Sequence, residues 1–442
     1  MTNWRFLSAA DLGRRIGAGE IDPVELTEAF LEATAAHEAG PRIYARMTET
    51  RARAEAEAAR ARAKAGLRKG PLDGVPISWK DLFDTAGVTT EAGSKLLEGR
   101  VPSADARVLA TATAQGLVCL GKTHMTELAF SGLGYNPSTA TPPNIHDPER
   151  VPGGSSSGAA ASVAHGLAAI GIGSDTGGSV RVPSGWNSLV GLKTTAGRVS
   201  LEGGVPLCET FDTIGPLART VEDAALMLAA LEGGKPADLE GASLKGTRFA
   251  VLKDIVLDGL EDGPAKGFAQ ALEAFEKAGA SIEEISAPEV VEAMANAGPL
   301  FTAEAYGTWK HLIEAHPEKM FSEVLGRFRG GAEVKAADYV ALWQALHRQR
   351  AAWNARIAGF DAVLMPTIAI EPPKIADCAA DGSYFTARNL LALRNTRVGN
   401  LMASAAVTLP TGVNWGGVML LGLGGSEERL LRVAAAAEKA LA

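Results

Sequence analysis

Residues 152–183 read PGGSSSGAAASVAHGLAAIGIGSDTGGSVRVP, and this stretch decides how the rest of the chain is understood. A serine–glycine cluster at 152–158 and a second at 173–179 flank a run of small apolar residues. Glycine gives the backbone access to positive φ and to close approach, so both clusters can turn N–H groups toward one point. Flexible linkers do not alternate with a run such as Gly166-Leu167-Ala168-Ala169-Ile170-Gly171, whereas a buried, closely packed segment does. The stretch therefore predicts a packed core element carrying two polar turns.

The surrounding chain has the rhythm of an α/β protein. Ser8–Asp11 and Asp22–Glu25 have capping-box spacing, with Pro23 at a favoured first helical position. Leu26, Phe30 and Ala33 share a face, and Gly40-Pro41 is expected to stop that helix. Residues 49–69, rich in Ala, Arg and Glu, read as a helix with a solvated face. Strands are expected at 75–79, 117–120, 249–252, 281–285, 362–365, 407–409 and 418–421. Helices are expected at 123–130, 220–231, 265–278 and through most of 290–358. With no internal repeat and no separating linker, the expected fold is one large α/β domain, a central twisted mixed sheet covered by helices on both faces. Within it, residues 1–70 would supply packing helices, 71–215 the catalytic core, and 216–442 the remaining sheet and the substrate pocket.

Composition excludes several classes. The net charge of −8 disfavours nucleic acid as a direct partner, because phosphate binding needs concentrated Lys and Arg. Cys119, Cys208 and Cys378 are too few and too scattered for a disulfide framework or metal knuckle. No signal-like N-terminus and no apolar span of about 18 residues is present, so a soluble cytoplasmic protein is expected, away from membranes. Neither a cofactor nor a metal is called for.

Three motif matches fail on context. Residues 116–123, GLVCLGKT, fit the P-loop pattern, but their middle residues favour a buried strand over a phosphate-binding turn. Gly154-Ser155-Ser156-Ser157-Gly158 fits the nucleophile elbow, yet residues 144–150 before it cannot form the core strand that elbow requires. His311, His316 and His347 lie downstream on polar helical segments and make poor triad partners. Gly171-Ile172-Gly173 lacks the third glycine of a dinucleotide fingerprint, because Thr176 stands there. What remains is Lys80 with Ser155 and Ser179. A serine hydroxyl needs a base to become a nucleophile, and a buried lysine can lose its proton near neutrality. Lys80 directly follows the apolar segment 75–79, where burial of its amine is expected.

GVPISWKD (74–81), PGGSSSG (152–158) and GSDTGGSVRVP (173–183) together resemble the amidase signature family. The resemblance continues through 121–130, 190–200, 212–228 and 361–367 and covers nearly the whole chain. It implies Ser179 as nucleophile, Ser155 as bridging serine after a cis peptide bond to Gly154, and Lys80 as terminal base. It further implies an oxyanion hole from the N–H groups of Thr176, Gly177, Gly178 and Ser179. Asp175 and Arg181 would form a supporting pair, with Ser156 adding a hydrogen bond. The implied reaction is hydrolysis of a small-molecule amide through an acyl-enzyme; a homodimer is left open. The alternative is the A component of a glutamyl-tRNA(Gln)/aspartyl-tRNA(Asn) amidotransferase, which supplies ammonia to a partner subunit. Trp186 and Asn187 depart from the Cys-Gly version found in those proteins and favour a free-standing amidase. Tyr306, Arg394, Arg397 and Trp415 are candidates for the substrate pocket, an arginine there suiting a carboxylate.

Overall fold

A computed structural model describes residues 4–442. Its centre is a mixed sheet of eleven strands: β1 (Tyr44–Met47), β2 (Pro76–Lys80), β3 (Val118–Thr123), β4 (Ile170–Ser174), β5 (Val190–Lys193), β6 (Ile214–Ala218), β7 (Arg248–Leu252), β8 (Ser281–Ile285), β9 (Ala362–Pro366), β10 (Ala405–Val413) and β11 (Gly416–Gly422). Their order across the sheet is β1-β3-β2-β4-β6-β5-β10-β11-β9-β7-β8. Two parallel arms, β3-β2-β4 and β9-β7-β8, are joined by antiparallel neighbours in the middle.

The first arm positions the site. β2 and β4 run parallel, with Ile77 beside Ile170 and Trp79 beside Ile172, so both end at one edge of the sheet. Chain leaving the carboxyl ends of parallel strands forms the crevice where α/β proteins place their ligands. The helix Ser157–Ala164 returns across these strands, which brings its N-terminal approach, Gly154–Ser156, to the same edge. Ala159, Ala160, Ala161 and Val163 of that helix are fully buried. Close packing depends on the glycines of β4: a Cβ on Gly171 would sit 2.6 Å from the Ala159 carbonyl oxygen. Ser78 and Ser162 then hydrogen-bond across the interface at 2.8 Å.

The N-terminal signals form the caps expected of them. Ser8 accepts from Asp11 N–H, and Asp22 accepts from Val24 N–H with Pro23 in the first turn. Residues 290–358 are indeed largely helical, as Ala297–Ala315, Ser322–Arg329 and Ala336–Ile357 show.

The expected helix at 123–130 is absent. β3 continues through Thr123, pairing Lys122 and Thr123 with Trp79 and Lys80, and only a single 3-10 turn, Glu127–Ala129, follows. Leu128 and Ala129 take positive φ, and the buried Glu127 carboxylate accepts from Ser94 Oγ and Phe321 N–H. Tertiary partners thus replace the local helical bonds that propensity favours. Gly40-Pro41, expected to stop a helix, lies beyond the end at Ala36 and opens a short turn, Gly40–Ile43. The P-loop-like segment is the buried strand β3, and Lys122 forms an ion pair with Asp81 at 3.0 Å.

Gly171→Val should push the helix Ser157–Ala164 off β4 and lower stability by about 1–3 kcal/mol. The midpoint of urea unfolding reads this directly.

Candidate active site

Lys80 ends β2 with no solvent exposure, and its Nζ lies 2.6 Å from Ser155 Oγ and 2.7 Å from Ser174 Oγ. It has no carboxylate within ion-pair distance among the described residues. Burial pushes its pKa down to about 7, and the more distant charges of Asp212 and Asp175 oppose only part of that. Near neutrality the amine therefore has an unprotonated fraction with a lone pair free to accept a proton.

Two other buried lysines show why this arrangement differs. Lys122 is held by Asp81 and Thr90 Oγ1, so its charge is matched. Lys193 is also lowered to about 7 by burial and the Arg181 charge, but its Nζ donates to the carbonyl oxygens of Thr194 and Ser404. Carbonyl oxygens have no proton to give. Lys80 alone of the three meets hydroxyls and no carboxylate.

Ser155 precedes the helix Ser157–Ala164, and the Gly154–Ser155 peptide is cis. The two polar turns are stitched together: Ser156 N–H donates to the Ser179 carbonyl at 3.2 Å, and Ser156 Oγ bridges the Ser174 carbonyl and N–H. A Cβ on Gly154 would meet the Gly134 nitrogen at 2.7 Å, so only glycine fits before Ser155.

The loop after β4 is braced from below. Arg181 donates to both Asp175 carboxylate oxygens, at 2.9 Å from Nε and 2.8 Å from Nη2, with both side chains fully buried. Arg181 also donates to the Thr396 carbonyl and to Asn400 Oδ1, while Asn400 returns a bond to Asp175 Oδ1. Burial raises the Asp175 pKa, but Arg181 outweighs it and holds the carboxyl down at about 2. Asp175 further accepts from Val180 N–H, curling the chain 175–180 into a tight loop. Thr176 Oγ1 donates to the buried Asp212, and Thr396 Oγ1 donates to the Gly177 carbonyl.

With its carbonyls and side chains fixed in this way, the loop leaves its amides free. Among the described residues, none of the N–H groups of Thr176, Gly177, Gly178 and Ser179 has an acceptor within the chain. Thr176, Gly177 and Ser179 line a cavity of about 300 Å³ walled by Phe130, Phe301, Leu390 and Leu393. The arrangement brings together a buried lysine–serine contact, a loop with unbonded amides and a serine that lines a largely apolar cavity. Such a site suits attack on a carbonyl.

Ser179, Thr176 and Gly177 line the cavity; Lys80 and Ser155 lie outside its lining, joined to the same loop through Ser174 Oγ and the Ser156–Ser179 backbone bond, and of the four pocket candidates only Arg397 lines the cavity. Arg394 donates instead to the Asp258 carbonyl, and Trp415 stacks under the Arg150 guanidinium and reaches Asn144. Tyr306 lies outside the cavity lining, and His311, His316 and His347 are exposed. Sequence reasoning missed Ser174, Asp212 and Arg327. Ser174 was visible in the Gly-Ser-Asp turn, and Asp212 as the first residue of DTIGPLART. Arg327 carries no local signal.

The Amidase family profile matches residues 25–431. The chain belongs to the amidase family. It is 34% identical over 443 residues to 2-amino-5-chloromuconic acid deaminase of Comamonas testosteroni, covering 98% of this chain and 96% of that one. Likewise it is 31% identical over 474 residues to the A component of the glutamyl-tRNA(Gln) amidotransferase of Symbiobacterium thermophilum, covering 98% and 96%. A crystal structure of an amidase superposes with a TM-score of 0.88 at 29% identity, over 99% of this chain and 100% of that one. The single α/β domain with its large mixed sheet is thus the fold of an amidohydrolase family. No helix among the described residues is long and apolar enough to cross a membrane.

Asp175→Ala would leave Arg181 buried and unpaired, and should lower stability by about 3–5 kcal/mol. Chemical denaturation checks the value.

Proposed function

We propose that the chain hydrolyses a small-molecule amide to an acid plus ammonia or an amine, through an ester on Ser179. One observation carries this reading: a fully buried lysine whose side-chain partners are hydroxyls, one of them Ser155. In the resting state the Ser155 hydroxyl donates to the lone pair of neutral Lys80. As Ser179 Oγ attacks the carbonyl carbon, its proton passes to Ser155 and that of Ser155 to Lys80. The carbonyl oxygen, now negative, settles among the free amides of the 176–179 loop, where stabilisation of this kind contributes several kcal/mol. The relay then reverses and delivers a proton to the departing nitrogen. Water attacks the ester by the same route and releases the acid. Asp175 and Arg181 act by holding the loop, and Ser156 by tying the two polar turns together.

The named activities of the relatives agree with C–N cleavage: one is a deaminase acting on an acid, and one structural neighbour is an amidase. A second reading is favoured by the amidotransferase component that matches over nearly its whole length. In that reading the freed ammonia is handed on to a partner protein.

Ammonia release by the purified chain across aliphatic, aromatic and carboxylated amides separates the two. Release without any partner supports the free-standing hydrolase, and release only after a partner protein is added supports the other. Ser179→Ala should abolish turnover, and Lys80→Met should lower kcat by at least about 10²–10⁴-fold. Because the base must be neutral, kcat/KM should fall about tenfold per pH unit below about 7, where Lys80 takes up its proton. A profile flat down to about pH 5 would remove Lys80 from the role.

A further inference from the structure

The cavity above Ser179 holds two positive charges and no negative one. Its charged lining residues are Arg327, from the helix Ser322–Arg329, and Arg397, from the helix Arg394–Leu401. Every other arginine that braces this region is paired: Arg181 with Asp175, and Arg394 and Arg350 with backbone carbonyls. The guanidinium groups of Arg327 and Arg397 make no hydrogen bond and no ion pair among the described residues, and Arg327 Nη1 is buried without a partner. Burial lowers the pKa of both, to about 9 for Arg327 and about 10 for Arg397, and the Arg397 charge lowers Arg327 further. No carboxylate acts on either. Two adjacent, desolvated cations without a counter-charge are costly unless an anion joins them.

The pair is also held in place. The Arg327 guanidinium lies over the Phe130 ring at 4.5 Å, a favourable cation–π distance. Glu127, just before Phe130 in the same turn, accepts from Phe321 N–H at 2.9 Å and so ties the start of the Arg327 helix to that segment. The same cavity is walled largely by apolar side chains, among them Phe130, Leu207, Phe301 and Leu393. The cavity, of about 300 Å³, has room for a short chain or a single ring.

We propose that the substrate is an amide carrying a carboxylate remote from the scissile bond, and that Arg327 and Arg397 grip that carboxylate between them. The inference rests on the amidase reading for where the amide sits, and it names the substrate class: half-amides of short dicarboxylic acids and amides of like shape. Guanidinium groups match carboxylate geometry with paired donors, so a neutral isostere of the same size loses these bonds and leaves both cations unpaired.

The test is calorimetric titration of the full-length Ser179→Ala protein with succinamate, glutaramate and adipamate, their methyl esters, and inorganic phosphate. At least one half-amide should bind roughly 10- to 100-fold more tightly than its ester. Arg327→Met and Arg397→Met should each remove most of that preference. Arg397→Lys, which keeps the charge but loses the fork, should retain part of it and guards against a Met variant that does not fold. Equal binding of acids and esters, binding of phosphate alone, no binding of any half-amide, or an unchanged preference in the variants would overturn the assignment. The titration needs no turnover. Failure of wild type to release ammonia would therefore count against the amidase reading, and failure of the acid preference against the arginine pair.

Discussion

Placing a lysine in the interior beside hydroxyls, with its counter-charges kept at a distance, is the constraint on which the rest of this molecule depends. Burial strips the ammonium of its hydration, and no carboxylate replaces it. Asp175 and Asp212 stand near enough to be felt and too far to pair. Had either reached Nζ, Lys80 would resemble Lys122, a charged strut in an ion pair with Asp81. The carboxylates are kept occupied elsewhere: Asp175 by Arg181 and Asn400, Asp212 by Thr176 and two backbone amides. A buried ion pair thus withholds an acid from a lysine as well as bracing a loop.

That division of labour explains the density of small residues. Lys80, the start of the helix Ser157–Ala164 and the loop after β4 must all meet at one edge of the sheet. Parallel β2 and β4 bring two of them there, and the close helix packing over Gly171 brings the third. A larger side chain at Gly171 would hold the helix away from the strand and separate Ser155 from Lys80. The loop after β4 ties its Asp175 and Thr176 side chains and the Gly177 carbonyl to the fold, leaves Ser179 lining the cavity, and keeps the amides of 176–179 unbonded. This polarity sets partners on one side of a serine-rich turn and free donors on the other.

Much of this was legible along the chain. The two serine–glycine clusters, Lys80 after an apolar strand, and the capping boxes at Ser8 and Asp22 are local patterns of residue type and spacing. They appear where they were expected because local backbone chemistry sets them. The Leu-Val-Cys-Leu core of the P-loop look-alike likewise showed its strand character directly. Other elements were hidden. β4, β5 and β6 are rich in glycine or very short, so their β-propensity is low, and they are strands because neighbours pair with them on both sides. The segment 123–130 has helical letters, but Glu127 finds Ser94 and Phe321, and the helix is given up for those bonds.

Residue order alone carried the fold class and the family, and it singled out Lys80 and Ser155, which the fold brings into contact, since these reside in contiguous motifs. Tertiary structure alone decided which lysine meets serine hydroxyls and no carboxylate, because the sequence does not say what faces Lys80, Lys122 or Lys193 across the fold. It alone decided which arginine reaches the pocket. Arg394 and Arg397 lie one helical turn apart, yet one caps backbone carbonyls and the other lines the cavity together with Arg327, far earlier in the sequence. Charge pairing is a matter of distances of a few ångströms across the fold, and no local pattern records it.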